Sequence, residues 1–338
     1  MTRIDDVARF AGVSTATVSR ALRGLPSVSE ATRRRVLEAA ARLGYIASPS
    51  ASRLAGGKTA TVGIVVPRIT RWFFGTVVEA VEETLHQAGY DLLLYNLGGR
   101  EYARHRLLHT ASLHKRVDAL MLVAVPLQAP DLAALTSAAV PGVTVSSGTP
   151  VPGWPSVRID DMAAARTATR HLLDLGHRRI AHISGDSSDE LAHTTHIDRR
   201  RGYREALLGA GIRPDPRLDV EAPFTVDGGC WAATELLRRG EAPTAIFAAS
   251  DEMAMGAIRA LRSAGLRVPE DVSVIGIDDH DLAAVVGLTT VAQPAAEQGR
   301  LAARALLGPL TSGESEVASV ILPTRLVVRE TTAPPRAQ

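Results

Sequence analysis

The 338-residue chain has a single cysteine, no long apolar run and almost no net charge. Cys230 has no partner in the chain, which excludes an internal disulfide and any multi-cysteine zinc or iron–sulfur centre and fits a reducing compartment. The longest apolar stretch, Ala119 to Val125, is far short of the about 20 residues a helix needs to cross a bilayer, so no membrane contact is expected. The opening MTRIDDVARF places Asp5 and Asp6 where a secretory leader would carry apolar residues, and a cytoplasmic location is expected. No glycine-rich phosphate loop of the Walker or dinucleotide type occurs, and no Gly-x-Ser-x-Gly nucleophile elbow, so no catalysis and no cofactor are expected. His193 and His196 stand three apart and could share a metal, but their polar surroundings read better as a solvated loop, so no metal is expected either.

What is present describes a folded protein. Apolar residues make up 46% and charged residues 22%, as in soluble globular domains. Single cores stop growing near roughly 250–300 residues, so the length suggests two or three domains. The overall charge of +2 conceals a division: residues 1–60 carry ten basic side chains against four acids, and the remainder is net acidic. A small basic head on an acidic body suits an end that meets a polyanion, although a solvated charged face would give the same count.

The head reads as three short helices. Thr2 with Asp5 three residues later matches a capping box, Ile4, Val7, Ala8 and Ala11 share one helical face, and Gly12 stops the helix. Ser14 caps a second helix over Thr15–Leu22, with Val18 and Leu22 inward and Thr15, Ala16, Ser19 and Arg20 available to solvent. Ser29 caps a third, with Val36, Leu37, Ala40 and Leu43 inward before Gly44. Three such helices, with a tight glycine turn between the first two, make a helix-turn-helix. The N-terminus of the second helix suits phosphate, its small side chains allow close approach to a major groove, and Arg20 can pair with guanine O6 and N7. Taken alone, Arg20 reads more readily as an ordinary exposed helical arginine.

Between head and body, Ser48 reads as an N-cap, Pro49 as the first helical position and Gly56-Gly57 as the stop. A helix of about two turns is marginal by itself, so this one is expected to form only when something packs against it. Its one large apolar side chain is Leu54. From residue 60 the pattern changes to apolar strands, among them Thr61 to Val66, Ala119 to Val125 and Val272 to Ile277, alternating with amphipathic helices. That alternation predicts parallel sheets covered on both faces. The number of strands and the break around Pro150-Val151-Pro152-Gly153-Trp154-Pro155 divide the body into two doubly wound lobes. Ligand-binding side chains are expected at the strand ends.

The run Ile4-Asp5-Asp6-Val7-Ala8-Arg9-Phe10-Ala11-Gly12-Val13-Ser14-Thr15-Ala16-Thr17-Val18-Ser19-Arg20-Ala21-Leu22 closely resembles the headpiece of the lactose/galactose repressor (LacI/GalR) family. The likeness continues through Val28-Ser29-Glu30-Ala31-Thr32 and Leu43-Gly44-Tyr45 and along the body. It implies an all-α helix-turn-helix headpiece at residues 1–46, a hinge helix and linker at 47–59, and an α/β body of type I periplasmic-binding-protein form at 60–338. The first lobe would cover about 60–159 plus 291–318 and the second about 160–290 plus 319–332. By the same resemblance Thr15, Ala16 and Arg20 read bases, Ser14, Thr17, Ser19, Ser29 and Tyr45 grip phosphates, and Ala51 and Leu54 enter the minor groove.

In the body, Phe73 and Phe74 follow the first strand and are candidates by the strand-end rule, although either could equally fill the core, and the resemblance adds Arg199, Phe224, Ser250 and Asp278 for a small effector. Arg199 opens the motif Arg199-Arg200-Arg201-Gly202-Tyr203, Phe224 would stack on a sugar face, and Ser250 stands where the family usually has Asn. Arginine, carboxylate and aromatic rings together suit a polyol. The implied protein is a homodimeric transcriptional repressor on a pseudo-palindromic double-stranded operator, controlled by a sugar or sugar derivative. A solute-binding protein for sugar transport would share the body, and an α/β sugar enzyme is a third class. The basic head counts against the former and the missing catalytic constellation against the latter.

Overall fold

The computed structural model describes residues 2–22, 24–45, 59–109, 116–138, 140–186, 194–311 and 318–336. The expected hinge helix, with Ala51 and Leu54, lies outside them. The chain forms two compact units, Met1–Ala60 and Thr61–Gln338.

In the first unit α1 (Ile4–Ala11), α2 (Thr15–Leu22) and α3 (Glu30–Arg42) enclose Val7, Ala8, Val18, Ala21, Val36, Ala39 and Ala40. The caps at Ser14 and Ser29 form as expected: their hydroxyls accept from the amides of Thr17 at 3.2 Å and Thr32 at 3.3 Å. Gly12 ends α1 with φ of 64°. Two expectations change. The reciprocal cap of α1 uses Asp6, whose carboxylate accepts the Arg3 amide at 2.9 Å, because the Thr2 hydroxyl instead donates to the Leu43 carbonyl at the end of α3, at 3.0 Å. Leu37 is 49% exposed rather than inward, since the buried face of α3 runs through Val36, Ala39 and Ala40 and Leu37 lies one residue further round the helix.

The second unit opens with β1 (Thr61–Val66), α4 (Trp72–Gln87), β2 (Asp91–Asn96), α5 (Glu101–Leu108), β3 (Ala119–Val123), α6 (Ala129–Ala138), β4 (Gly142–Val145) and β5 (Ser156–Ile159). It continues with α7 (Asp161–Asp174), β6 (Ile180–Gly185), α8 (Thr195–Gly209), β7 (Asp219–Ala222), α9 (Val226–Arg238), β8 (Ala245–Ala248), α10 (Asp251–Ser263), β9 (Ser273–Asp278) and β10 (Thr289–Ala292). The remaining elements are α11 (Ala295–Thr311), β11 (Val320–Leu322) and β12 (Arg325–Val327). Two six-stranded sheets result, ordered β11-β5-β4-β3-β1-β2 and β12-β10-β9-β8-β6-β7. All pairings are parallel except β10 with β12. Strands such as β3, β8 and β9 are buried along their whole length because helices cover both faces, which is why they read as unbroken apolar runs.

The chain passes between lobes at Asp160, at Gln293-Pro294 and at Pro323-Thr324. The later two points shift the expected boundaries, and the expected break at 150–155 is not a crossing. Residues 150–155 only join β4 to β5 within the first lobe. Strand β10 belongs to the second sheet and β11 to the first, so the later two crossings fall a few residues beyond 290 and 318. Short strands sharing apolar character on both sides of a crossing carry no local signal of which sheet they join.

Candidate nucleic-acid interface and ligand cleft

On the headpiece, Ser14, Thr15, Ala16, Arg20 and Ser29 are exposed, while Thr17, Ser19 and Tyr45 are half-buried. Val18 and Ala21 anchor α2 inward, so the residues between them are turned out by helical geometry alone. Arg20 has no partner among the described residues. The first turn of α2 contains no acidic side chain. Its amide end and a free guanidinium therefore share one helix that carries no carboxylate, an arrangement suited to a polyanion.

In the body, Phe73, Phe74, Arg199, Phe224, Ser250 and Asp278 line one cavity of about 80 Å³ between the lobes. It lies at the C-terminal ends of the strands, where parallel sheets bind ligands. The first turn of α4 supplies Phe73 and Phe74, set edge-to-face at 5.5 Å. Phe74 is 8% exposed and also packs into the first lobe's core, so it serves packing and lining together. Phe224 follows β7 and occupies space that only a glycine leaves open: a Cβ on Gly185 would come within 2.2 Å of its ring.

Arg199 is the hub of the polar groups. Its Nε donates to Asp161 at 2.8 Å, a terminal nitrogen donates to the Ala249 carbonyl, and Asp278 lies 3.9 Å away. Asp278 also accepts from the Gln293 amide at 2.7 Å. Ser250 caps α10 by accepting the Met253 amide at 3.3 Å, so the short side chain serves the helix while facing the cavity. Behind it, Asp251 accepts from the Thr290 hydroxyl at 2.7 Å and the His280 amide at 2.9 Å. Burial, then the charge of Asp278, pushes the Asp251 carboxyl up to about 8. Burial raises Asp278 and Asp161 as well, opposed in both by Arg199. At the cleft edge Arg71 of the first lobe meets Glu252 of the second at 3.7 Å, and the Trp72 and His280 rings lie 5.3 Å apart.

Three cavity-lining residues at strand ends, Ala124, Ser146 and Asp278, have positive φ of 47°, 48° and 141°. Non-glycine residues there cost of order 1–3 kcal/mol each and persist where surrounding structure holds them. Among the described residues no group of His, Cys, Asp and Glu is arranged to hold a metal, and no helix is long and apolar enough to cross a membrane. The sequence expectation of a solvated loop around His196 does not hold: α8 begins at Thr195, a turn earlier than Arg199 suggested, and His196 is buried. His193 lies outside the described residues.

Comparison with known proteins places these two regions in one context. Residues 3–48 match the model for bacterial regulatory proteins of the lacI family, and residues 169–332 match a periplasmic binding protein-like domain. The chain is 36% identical over 331 residues to catabolite control protein A of Priestia megaterium, covering 97% of this chain and 98% of that protein. The chain belongs to the lacI family. Within that family it is also 38% identical over 336 residues to the HTH-type transcriptional regulator CelR of Thermobifida fusca, covering 97% of each. Among solved structures, a Lac repressor dimer bound to operator and the anti-inducer ONPF superposes with a TM-score of 0.83 at 30% identity, over 98% of this chain and 99% of that one. A CelR–cellobiose complex gives 0.72 at 36% identity, over 98% and 100%. This lacI-family protein is therefore a DNA-binding transcription regulator in class.

Sequence reasoning missed seven residues that line this regulator's cleft: Arg71, Ala124, Ser146, Asp161, Thr195, Glu252 and Gln293. Ser146 and Gln293 directly follow β4 and β10, so the strand-end rule applied to every strand would have found both. Asp161 and Glu252 carry no such mark. Each sits in the first turn of a helix, where an acid is ordinary.

Proposed function

We propose that this protein is a homodimeric repressor that acts on a pseudo-palindromic operator inside the cell, and that a neutral sugar bound between its lobes sets its operator affinity. The observation that carries this reading is the convergence of Arg199, Asp278, Phe224, Phe73 and Phe74 on one inter-lobe cavity. Charged hydrogen-bonding groups with aromatic faces are what a polyol ring requires. The relatives support the same class, since one solved neighbour holds cellobiose and another is a dimer on operator DNA.

On DNA, α2 lies in the major groove. Thr15 and Ala16 are short enough to let the backbone approach, Arg20 forks onto a guanine edge, and Ser14, Thr17, Ser19, Ser29 and Tyr45 hold phosphates. The segment around Ala51 and Leu54 enters the minor groove, with Leu54 as the wedge that opens a base step. Dimer symmetry matches operator symmetry. A ligand shifts operator affinity only by binding two lobe arrangements unequally, so control requires that closure alter the spacing of the two hinge segments.

The test is a binding titration of full-length protein against a duplex it selects from a random pool, with and without sugars of one and two rings. Operator affinity should change at least tenfold with one of them, and salt should weaken binding steeply. Equal affinity for the selected and a scrambled duplex would overturn the reading.

A further inference from the structure

Gln298 is completely buried on α11, on a face otherwise built from Ala295, Gly299, Ala302, Ala303 and Leu306. A lone amide among such residues is costly unless its polar atoms are satisfied. Both ends are. Its Oε1 accepts the Ser146 hydroxyl at 2.8 Å, and its Nε2 donates to Gln293 Oε1 at 3.0 Å. Gln293 then donates its Nε2 to Asp278 Oδ1 at 2.7 Å.

The direction of this chain of bonds follows from chemistry. An ionised carboxylate only accepts, so Gln293 must turn its NH₂ to Asp278 and its oxygen to Gln298. Gln298 must then turn its oxygen to Ser146, which has to donate. The relay leaves the second lobe at Asp278, follows the crossing at Gln293-Pro294 and ends in the first lobe at Ser146. Both terminal residues line the cavity. With its proton committed to Gln298, Ser146 offers only lone pairs to a ligand, and Asp278 likewise offers only an acceptor oxygen.

A ligand touching both ends must therefore donate hydrogen bonds at both. Two hydroxyls do so; a phosphate or carboxylate does not. The cavity's charges agree, because its two cations are already answered: Arg71 faces Glu252 at 3.7 Å and Arg199 donates to Asp161 at 2.8 Å, with Asp278 at 3.9 Å. Carboxylates outnumber guanidinium groups around the space.

We infer that Gln298 is a positioning residue which, through Gln293 and Ser146, holds the facing groups of both lobes as hydrogen-bond acceptors and so restricts the cleft to uncharged, hydroxyl-donating ligands. The inference rests on the cleft being the effector site. It concerns which ligands are admitted and adds Gln298, which touches none of them, to the residues that decide this.

The test is calorimetric titration of the full-length protein with glucose, ribose and cellobiose, and with glucose 6-phosphate and gluconate as anionic probes. Wild type should bind at least one neutral sugar and prefer it at least tenfold over both anions. Gln298→Leu and Ser146→Ala should each weaken the neutral sugar about tenfold and narrow that preference, and the double variant should lose no more than either single, as members of one unit do. Ser146→Ala keeps the test open should Gln298→Leu fold poorly. Wild-type affinity and preference in both single variants would overturn the relay while leaving the cleft as the effector site. Tighter binding of an anionic probe than of every neutral sugar would overturn the selectivity. Failure of all five probes on the wild type would remove the cleft reading and this inference together.

Discussion

Arg20 on the headpiece stands exposed, with no partner among the described residues, whereas Arg199 in the cleft is 4% exposed and held by Asp161 and the Ala249 carbonyl. The contrast extends to their neighbours: Thr15 and Ala16 face outward, while Asp278, Gln293 and Gln298 are buried. A surface that reads DNA must leave its donors unanswered until the partner arrives, and the cost is small because water serves them meanwhile. A cleft that reads a sugar must hold its groups in fixed directions, so each is bonded to another and tied to the fold. Function and stability should therefore separate at Arg20 and remain entangled at Arg199.

The largest break in this contrast should come from Arg199→Ala. Removing it leaves Asp161 and Asp278 without their cation, and losing one member of a buried pair costs about 3–5 kcal/mol. Loss of ligand response with a much lower melting temperature of the body is expected; an unchanged melting temperature would contradict the entanglement. Arg20→Ala should do the opposite. Specific operator binding should fall by about 1–3 kcal/mol, binding to random DNA should fall less, and thermal stability should stay level. An equal loss on both duplexes would count against base reading.

The headpiece is not free of structural duty at its caps, and Ser29→Ala sharpens the comparison there. Losing the bond to the Thr32 amide should destabilise the headpiece by about 1 kcal/mol, seen as earlier headpiece melting with the body's transition unmoved.

The smallest effect is a pH dependence confined to the body. Folded Asp251 keeps its proton up to about pH 8, while in the unfolded chain it releases it near 3.8, so folding takes up a proton between these values and stability falls as pH rises through them. Histidines act in the other direction. Burial pushes His182 down to about 4 and lowers His171, His177 and His280 from 6.5, so stability falls again as pH drops through 6.5 and the unfolded histidines charge. The body's melting temperature should peak near pH 6.5 and be a few degrees lower at pH 8, and a steady rise to pH 8 would refute the role of Asp251.

The headpiece was legible because its information is local. Ser14, Gly12 and Ser29 act within one turn of where they stand, whereas Thr2 misled because its partner Leu43 is 41 residues away, and Leu37 because it lies one residue beyond the buried face of its helix. The two sheets were legible for a similar reason, since central strands such as β3, β8 and β9 announce themselves by unbroken burial along their length. Asp278 could be placed in the cleft because it ends a strand and strand ends mark ligand sites, and Phe224 only through the family resemblance. Gln298 could not: in the string Gln293-Pro294-Ala295-Ala296-Glu297-Gln298-Gly299 it reads as one more polar residue on a helix surface, and only the packing of α11 against α4 and β4 turns it inward. Which sheet β10 and β11 join was illegible for the same cause, since both are three or four residues of ordinary strand sequence.

The most direct test of the central claim is operator affinity measured for wild type and Asp278→Ala across a series of neutral sugar concentrations, using the duplex that the wild type selects. A ligand-dependent shift of at least tenfold in wild type, absent from a variant that still binds the duplex, is the expected result. The same shift in Asp278→Ala, or none in wild type with a sugar shown to bind it, would contradict control of DNA binding from the cleft.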